Sequence, residues 1–392
     1  MYRIGQEEIN AVKRVIDTGA LFKINNEGQD TFYAEETMKE KFGCDYSILM
    51  SSGHAALASA LIGMGIGPGD EVIVPAYTYI ATAMAVVEAG AIPVIVEIDD
   101  SLTLCPKAFE SAITQNTKAV IPVHIQGLPC KMDGICNIAK KHGIKVLEDA
   151  CQADGGSFNG KRLGTIGHAG ALSFNFYKII TSGEGGALLT NDKSIFERAL
   201  IYHDSSAVAF FGDQLSNFQT ELFCGKEYRT NGITASILRE QLKRLDGLLS
   251  DLRKNKKLIM EGIEDLCEFV PSNDINGDCG LVIPIKFDSA EKAFAFAKAP
   301  GIGGTVPINT GKHIYKNWVP IMNKKGALNP LMDPFKMQAN RNIIPDYKED
   351  MCPKTLDILS KVVYVYIDPE WTDEQRDNRI AFLRNTLKSL KV

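Results

Sequence analysis

The sequence predicts an α/β protein: a mainly parallel sheet sandwiched by helices, with a smaller α+β unit at the C-terminal end. Two patterns carry that expectation. Between Tyr46 and Glu148, short apolar runs alternate with stretches of helical period, and the runs are too uniformly apolar to have a wet face. Strands of that kind lie in parallel sheets covered on both sides. Beyond about residue 251 the alternation gives way to a shorter, mixed pattern.

At 392 residues the chain has room for a large core and two domains, which we place at 1–250 and 251–392. Its apolar content of 45% and charged content of 23% are ordinary for a globular protein. A net charge of −5 offers no basic surface to a polyanion, so nucleic acid is not an expected partner. No apolar run approaches the ~20 residues that span a bilayer, and no basic-then-apolar leader opens the sequence. The expectation is therefore a cytoplasmic protein without a membrane partner. The nine cysteines form no CxxC pair and the six histidines are dispersed, so packing thiols and no protein metal site are expected.

In chain order, Ile9, Val12, Val15 and Ile16 fall at helical spacing and predict an amphipathic helix over 5–18. A polar, irregular loop follows over 20–32. Strands are expected over 47–50, 71–74, 93–97, 119–123 and 145–148, with helices between them; the first helix is rich in alanine and leucine and ends near Met64. A glycine-rich turn and strand over 184–190 lead to a helix over 193–203 and an irregular stretch over 204–231. A connecting helix is then marked by Ile233, Ile237, Leu238, Leu242 and Leu245. The final helix opens on a capping box, Thr372 to Gln375, and is expected to bury Ile380, Leu383, Leu387 and Leu390.

Ligands of such sheets bind beyond the carboxyl ends of the strands, and three of those ends carry chemistry. Ser51-Ser52-Gly53-His54 stands at a strand-to-helix turn, where free N–H groups and a helix N-terminus suit a phosphate, although a serine there can also serve only as the helix cap. Tyr77-Thr78-Tyr79 puts aromatics at a second end, either for stacking on a planar ring or as ordinary core. Glu148-Asp149-Ala150-Cys151-Gln152 places a carboxylate where it would pair with a protonated ring nitrogen or cap the next helix.

Lys178 lies in Ser173-Phe174-Asn175-Phe176-Tyr177-Lys178-Ile179-Ile180, just ahead of Gly183-Glu184-Gly185-Gly186. Partial removal from water favours a neutral, nucleophilic amine, which is what Schiff-base chemistry needs. A buried strand whose lysine snorkels to the surface fits the same segment.

A phosphate turn, a stackable aromatic, a strand-end aspartate and such a lysine, in that order, resemble the fold-type I pyridoxal-phosphate enzymes. More narrowly, the chain resembles the DegT/DnrJ/EryC1/StrS sugar aminotransferases from Ile4 to at least Leu245. The carriers are Ser51 to Leu57, Gly65 to Pro75, Pro122-Val123-His124, Met132-Asp133, Glu148 to Ala153, Gly164-Thr165-Ile166-Gly167 and Gly183-Glu184-Gly185-Gly186.

The resemblance implies pyridoxal 5′-phosphate as the cofactor, with Lys178 binding it as a Schiff base and shuttling a proton. It implies that Asp149 keeps the pyridine nitrogen protonated, that Gln152 bonds to the phenolic oxygen and that Tyr79 stacks on the ring. Gly53, His54 and Ser173 would hold the phosphate. Residues 225–229 would serve the cofactor of a neighbouring subunit in a homodimer, bringing Glu227 to its phosphate, with Arg229 and His203 on the substrate side. The implied reaction is ping-pong: glutamate or glutamine gives its amine to a keto-sugar, whether a nucleotide-linked hexose, an octulosonate or a related cyclic ketone. The wording of Leu104-Cys105-Pro106, Ala150 to Ala153 and Thr181 to Gly186 lies closer to the octulosonate branch.

Three positions depart from the family pattern. His54 stands where threonine is usual, Glu227 where asparagine is usual, and Asp204 where glycine usually follows the histidine. A carboxylate facing a phosphate is repelled unless a cation intervenes, so we expect either a protonated His54 between Glu227 and the phosphate, or Glu227 turned to solvent or paired with Lys226. Other functions stay open: a deoxygenating dehydratase, although that branch carries histidine in place of the lysine, or a non-catalytic regulator that binds the cofactor. A nicotinamide enzyme would need its glycine fingerprint directly after the first strand, whereas Gly63-Met64-Gly65-Ile66-Gly67 ends a helix.

Overall fold

The computed structural model describes residues 3–23, 29–206 and 218–390. The loop expected over 20–32 and the irregular stretch over 204–231 lie partly outside those residues. In chain order the helices are α1 (Gln6–Thr18), α2 (Asp30–Phe42), α3 (Gly53–Gly63), α4 (Ala81–Glu88), α5 (Pro106–Ser111), α6 (Met132–His142), α7 (Lys193–His203), α8 (Gly232–Ile263), α9 (Ala290–Lys298), α10 (Val319–Met322), α11 (Pro353–Ser360) and α12 (Asp373–Ser389). The strands are β1 (Tyr46–Met50), β2 (Glu71–Pro75), β3 (Ile92–Val96), β4 (Thr117–Val120), β5 (Lys145–Asp149), a short β6–β7 hairpin (Ser157–Phe158 and Lys161–Arg162), β8 (Ala169–Ser173), β9 (Gly186–Thr190), β10 (Glu268–Phe269), β11 (Val282–Lys286) and β12 (Val362–Tyr366).

Seven strands form the main sheet in the order β1-β9-β8-β5-β4-β2-β3. The pairs from β8 through β3 are parallel, and β9 runs antiparallel to both of its neighbours. β1, β2, β5 and β8 therefore point the same way, and their carboxyl ends share one edge. Successive side chains face opposite sides of a strand, and both sides are buried: Ile48, Met50, Val72 and Val74 join one core cluster, while Leu49, Ile73, Val120 and Val146 join the other. This is why the strands read as continuous apolar runs. Beneath the first face α3 is buried almost all round, as its alanine-rich sequence requires.

One sequence expectation needs correction. α1 forms, but Ile9 and Ile16 are each 60% exposed while Glu8, Ala11 and Val15 are buried. The reason is electrostatic: Glu8 accepts hydrogen bonds from Gly5 N, Gln241 and Arg244, which turns that face of α1 onto α8. Separately, α8 runs unbroken across the division drawn at 250/251.

The C-terminal part holds the antiparallel sheet β10-β11-β12 and a capping box at Thr372–Gln375. In α12 Leu383 and Leu387 are buried, whereas Ile380 and Leu390 are only partly so. The segment around 310–350 returns to the large sheet: Tyr315 N donates to Ala76 O, Tyr347 Oη to Pro93 O, and the Asn340 amide bonds to both Gly69 and Gly90. That return brings C-terminal residues to the edge where β2 ends. No helix among the described residues is long and apolar enough to cross a membrane.

Candidate active site

Asp149 closes β5 and is buried. Its Oδ2 accepts from Thr82 Oγ1 at 2.7 Å, Thr82 in turn lies 2.7 Å from Thr78 Oγ1, and Oδ1 accepts from Cys151 N at 3.2 Å. Because Thr82 spends its proton on Asp149, Thr78 is the donor to Thr82. The neighbouring Glu148 points to the other face and is wholly buried. It accepts from the backbone N–H groups of Gly164, Ile166 and Gly167 and contacts His124 Nε2 at 3.1 Å. Since Cys130 N donates to His124 Nδ1, the imidazole proton sits on Nε2 and is given to Glu148. Glu148 is thus a clamp on the 164–167 loop.

A cavity of about 710 Å³ opens at the same sheet edge. Lys178, Gln152, Tyr79 and Asn175 line it from the large unit, and Lys312, His313 and Tyr366 from the C-terminal part. Lys178 sits in a turn rather than a strand: its N–H donates to Asn175 O, while Phe174 N bonds to Gly185 O and Ser182 N to Phe174 O, closing the loop. Tyr177, just before it, is 81% exposed. The Gln152 carbonyl oxygen accepts from Gln126 N at 3.1 Å, which leaves its NH₂ to donate into the cavity. Cys151 senses both key charges. Burial pushes its thiol well above the usual range, Asp149 pushes it further and Lys178 pulls it back.

The phosphate turn has a definite shape. Ser52 is the cap of α3, its Oγ accepting from Ala55 N at 3.1 Å, so the amides of Gly53 and His54 are left at the helix end. At Gly53 a Cβ would lie 2.7 Å from Cys151 Sγ and 2.8 Å from Ser173 Cβ, and at Gly186 one would lie 2.3 Å from the Ser52 carbonyl. Glycine alone permits this cradle, in which Gly53, Ser173, Cys151 and the last glycine of Gly-Glu-Gly-Gly converge. The Gly53 and His54 amides at this helix end suit an anionic headgroup, and Tyr79, Gln152 and Lys178 line the cavity, a donor set that fits pyridoxal phosphate.

Other expected site residues sit elsewhere. The His54 imidazole does not face the cradle: its Nε2 lies 2.7 Å from Glu88 Oε2, so only its backbone amide serves the helix end. Glu227 pairs with Arg229 at 2.7 Å, neither with His54 nor with Lys226, which instead binds Glu88. Within the chain, Glu88 takes the place we expected Glu227 to fill. His203 is buried away from the cavity: Nδ1–H donates to Leu200 O at 2.7 Å, and Nε2 receives the Lys23 ammonium at 3.2 Å. Burial, with Lys23 adding to it, holds this imidazole well below its ordinary range, so it accepts from Lys23 as the neutral form. Arg229 stacks on Phe22 at 4.7 Å and does not line the cavity.

Thr82, Gln126, Lys312, His313 and Tyr366 were not foreseen. Thr82 had one available signal, its place one turn beyond Tyr77-Thr78-Tyr79; the others come together only through the return of the C-terminal segment or, for Gln126, a left-handed backbone at φ 52°. Among the described residues no group of three or more His, Cys, Asp or Glu side chains is arranged to hold a metal ion.

The model of the DegT/DnrJ/EryC1/StrS aminotransferase family matches residues 2–304. The spore coat polysaccharide biosynthesis protein SpsC of Bacillus subtilis is 29% identical over 408 residues, covering 98% of this chain and 95% of that protein. Among solved structures, an aminotransferase from Psychrobacter cryohalolentis superposes with a TM-score of 0.79 at 25% identity, covering 99% of this chain and 98% of the other. S. venezuelae DesV, solved in complex with a ketimine intermediate, superposes with a TM-score of 0.77 at 27% identity, covering 97% and 94%.

Proposed function

Because the chain belongs to the DegT/DnrJ/EryC1/StrS aminotransferase family, whose enzymes depend on pyridoxal phosphate, we propose that it moves an amino group from glutamate or glutamine to a keto-sugar in two half-reactions. The observation that carries this reading is the setting of one cavity: Lys178 lines it with Gln152 and Tyr79, and Asp149, which accepts from Cys151 N at 3.2 Å, stands at the strand end from which Gln152 reaches that cavity. When bound, the cofactor supplies an electron sink for the carbon that gains or loses the amine.

The residues of the chain divide the remaining work. Lys178 Nζ would anchor the cofactor, and its amine is the base that would take the proton from the donor's α-carbon. Asp149, braced by Thr82, would keep a proton on the ring nitrogen through an ion pair formed away from water. The Gln152 amide would donate to the ring's phenolic oxygen, and Tyr79 would pack on the ring face. Gly53, the backbone of His54 and Ser173 hold the phosphate. Tyr177, exposed at the rim, and the Glu227–Arg229 pair, outside the chain's own cavity, are surfaces we assign to a homodimer contact. Lys178 also separates this reading from the deoxygenating branch, for which histidine is expected at that position.

The test is spectroscopic. Adding glutamate or glutamine to the loaded protein should remove the absorbance band of the lysine-bound cofactor, and a suitable keto-sugar should restore it. Lys178→Ala should lack that band and lose turnover by several orders of magnitude while keeping its fold. Normal turnover by the variant, or a wild-type band indifferent to every amino donor, would overturn the proposal, the second outcome favouring a cofactor-binding regulator.

A further inference from the structure

We propose that Gln126 is a positioning residue of this site, and that its left-handed backbone fixes the Gln152 amide with the NH₂ turned toward the cofactor; this rests on the cofactor-binding part of the aminotransferase reading. Of the residues other than glycine with positive φ among the described ones, Gln126 alone lines the cavity. Its φ of 52° and ψ of 28° lie where a side chain crowds the backbone. Such strain persists only where the surrounding structure dictates it, and it collects at functional sites.

The surroundings of Gln126 hold it from two sides. On the strand side, His124 N donates to Asp149 O at 3.0 Å, the His124 ring is gripped between Cys130 N and Glu148, and Leu128 N closes the turn onto Ile125 O at 2.9 Å. On the C-terminal side, Cys279 N donates to Gly127 O at 3.1 Å. Gly127 is itself left-handed, at φ 79°, and a Cβ there would lie 2.6 Å from Cys279 Cβ. Asp278, just before that cysteine, is buried, pairs with Lys256 of α8 and accepts from Gly280 N at 2.7 Å. The turn over 125–128 is thus clamped between the end of β5 and a second turn stapled to α8.

What the clamp achieves is an orientation. A primary amide presents a carbonyl oxygen on one side and an NH₂ of nearly the same shape on the other, and only the NH₂ can donate to a phenolic oxygen. The plane of the 125–126 peptide, set in part by φ at Gln126, aims the Gln126 N–H at Gln152 Oε1, 3.1 Å away. With the carbonyl side engaged there, the NH₂ is what remains for the cavity. Without that N–H the Gln152 amide could turn over and bring its carbonyl against a second acceptor.

The test reads the bound cofactor and needs no turnover. A donor facing the phenolic oxygen makes that oxygen less basic, so losing the donor should raise the pH midpoint at which the absorbance of the cofactor-loaded protein changes. Lys178, Lys312, His313, Tyr79 and Tyr366 line the same cavity and stay unaltered in every variant. Gln126→Gly and Gln126→Asn both tolerate the left-handed region and should stay within about 0.3 pH unit of wild type. Gln126→Val, which resists that region, should raise the midpoint by about one pH unit, the size of a lost hydrogen bond to a charged group. Gln126→Ala should fall between glycine and valine, and it carries the comparison if the valine variant fails to fold by circular dichroism. Gln152→Leu should shift as far as Gln126→Val, and combining the two should add nothing. A glycine variant that shifts as far as the alanine or valine one, a folded series with a single midpoint, or a further shift in the double variant would each overturn the assignment. Those failures leave the cofactor band of the wild type in place; a wild type that takes up no cofactor would overturn the aminotransferase reading along with this one.

Discussion

At the carboxyl end of β5, Asp149 is enclosed by Thr82, Thr78 and the Cys151 amide, all from the first 151 residues; at the cavity mouth, Tyr79 meets Lys312 and His313, which come from far along the chain, while Tyr177 stands open to solvent. The first region is a closed hydrogen-bond network on a rigid strand, the second an open rim assembled from two parts of the chain. The contrast maps onto chemistry. On the proposed reading, charge on the cofactor ring would be stabilised where water is excluded and nothing has to move, whereas donor and acceptor would exchange where the wall is exposed and the side chains are long. The closed end should therefore govern the rate of chemistry, and the mouth should govern which ligands enter.

The sharpest way to break that division is Asp149→Ala. Removal of the buried carboxylate should lower kcat by about 100- to 1000-fold, with a much smaller change in KM for the donor. Equal losses in kcat and KM, or a loss in KM alone, would show that Asp149 helps ligands bind instead. A milder probe is Thr82→Val, which removes the hydroxyl that donates to Asp149 Oδ2. A hydrogen bond to a charged group is worth about 1.5–3 kcal/mol, so a fall in kcat of about tenfold or somewhat more is expected. Thr82→Ser should restore it, and the pH dependence of the cofactor band should move in Thr82→Val but not in Thr82→Ser. A valine variant with wild-type kcat and an unmoved band would reduce Thr82 to packing.

The same contrast explains what could be read from the sequence. Asp149, Ser173, Gln152 and Lys178 stand at strand ends or just after them, and strand ends are marked locally by apolar runs that stop at polar or glycine residues. The glycines of the cradle were legible for the same reason, since a turn that packs Gly186 against the Ser52 carbonyl tolerates no side chain. Lys312 and His313 carry no such mark. Their arrival depends on the bridge between Tyr77 and Ile314 and on Trp318 filling the core, contacts more than 200 residues apart in sequence. The side-chain partners of His203 and His54 were illegible for a related reason. Each is a polar residue near the expected place, but one is consumed by a buried lysine and the other by a carboxylate on the next helix, and neither partner is adjacent in sequence. The face of α1 inverted because Glu8 found an arginine and a glutamine on α8, which outweighed the apolar periodicity of Ile9 and Ile16.

Glu88 offers the finest test, because it lies behind the phosphate turn and belongs to neither region. Its carboxylate gathers His54, Lys226, Tyr228 and Tyr202, tying the first turn of α3 to the 226–228 segment. Burial alone would raise its pKa, but the bonds from His54, Tyr228 and Lys226 outweigh burial and bring it down to about 2. A folded-state value below the unfolded one of about 4.3 means that the stabilisation is present above the unfolded value and is lost as pH falls toward 2. Wild type should therefore be more stable than Glu88→Gln at pH 7 and pH 5, with the gap closing between pH 5 and pH 2, as read from urea midpoints of the two proteins. Midpoint curves that stay parallel through that window would mean the network is not ionic. Because Glu88 touches His54 through the side chain and not the amide, kcat at saturating cofactor should change less than in either Asp149→Ala or Thr82→Val, which would leave the phosphate turn braced from outside but run from its backbone.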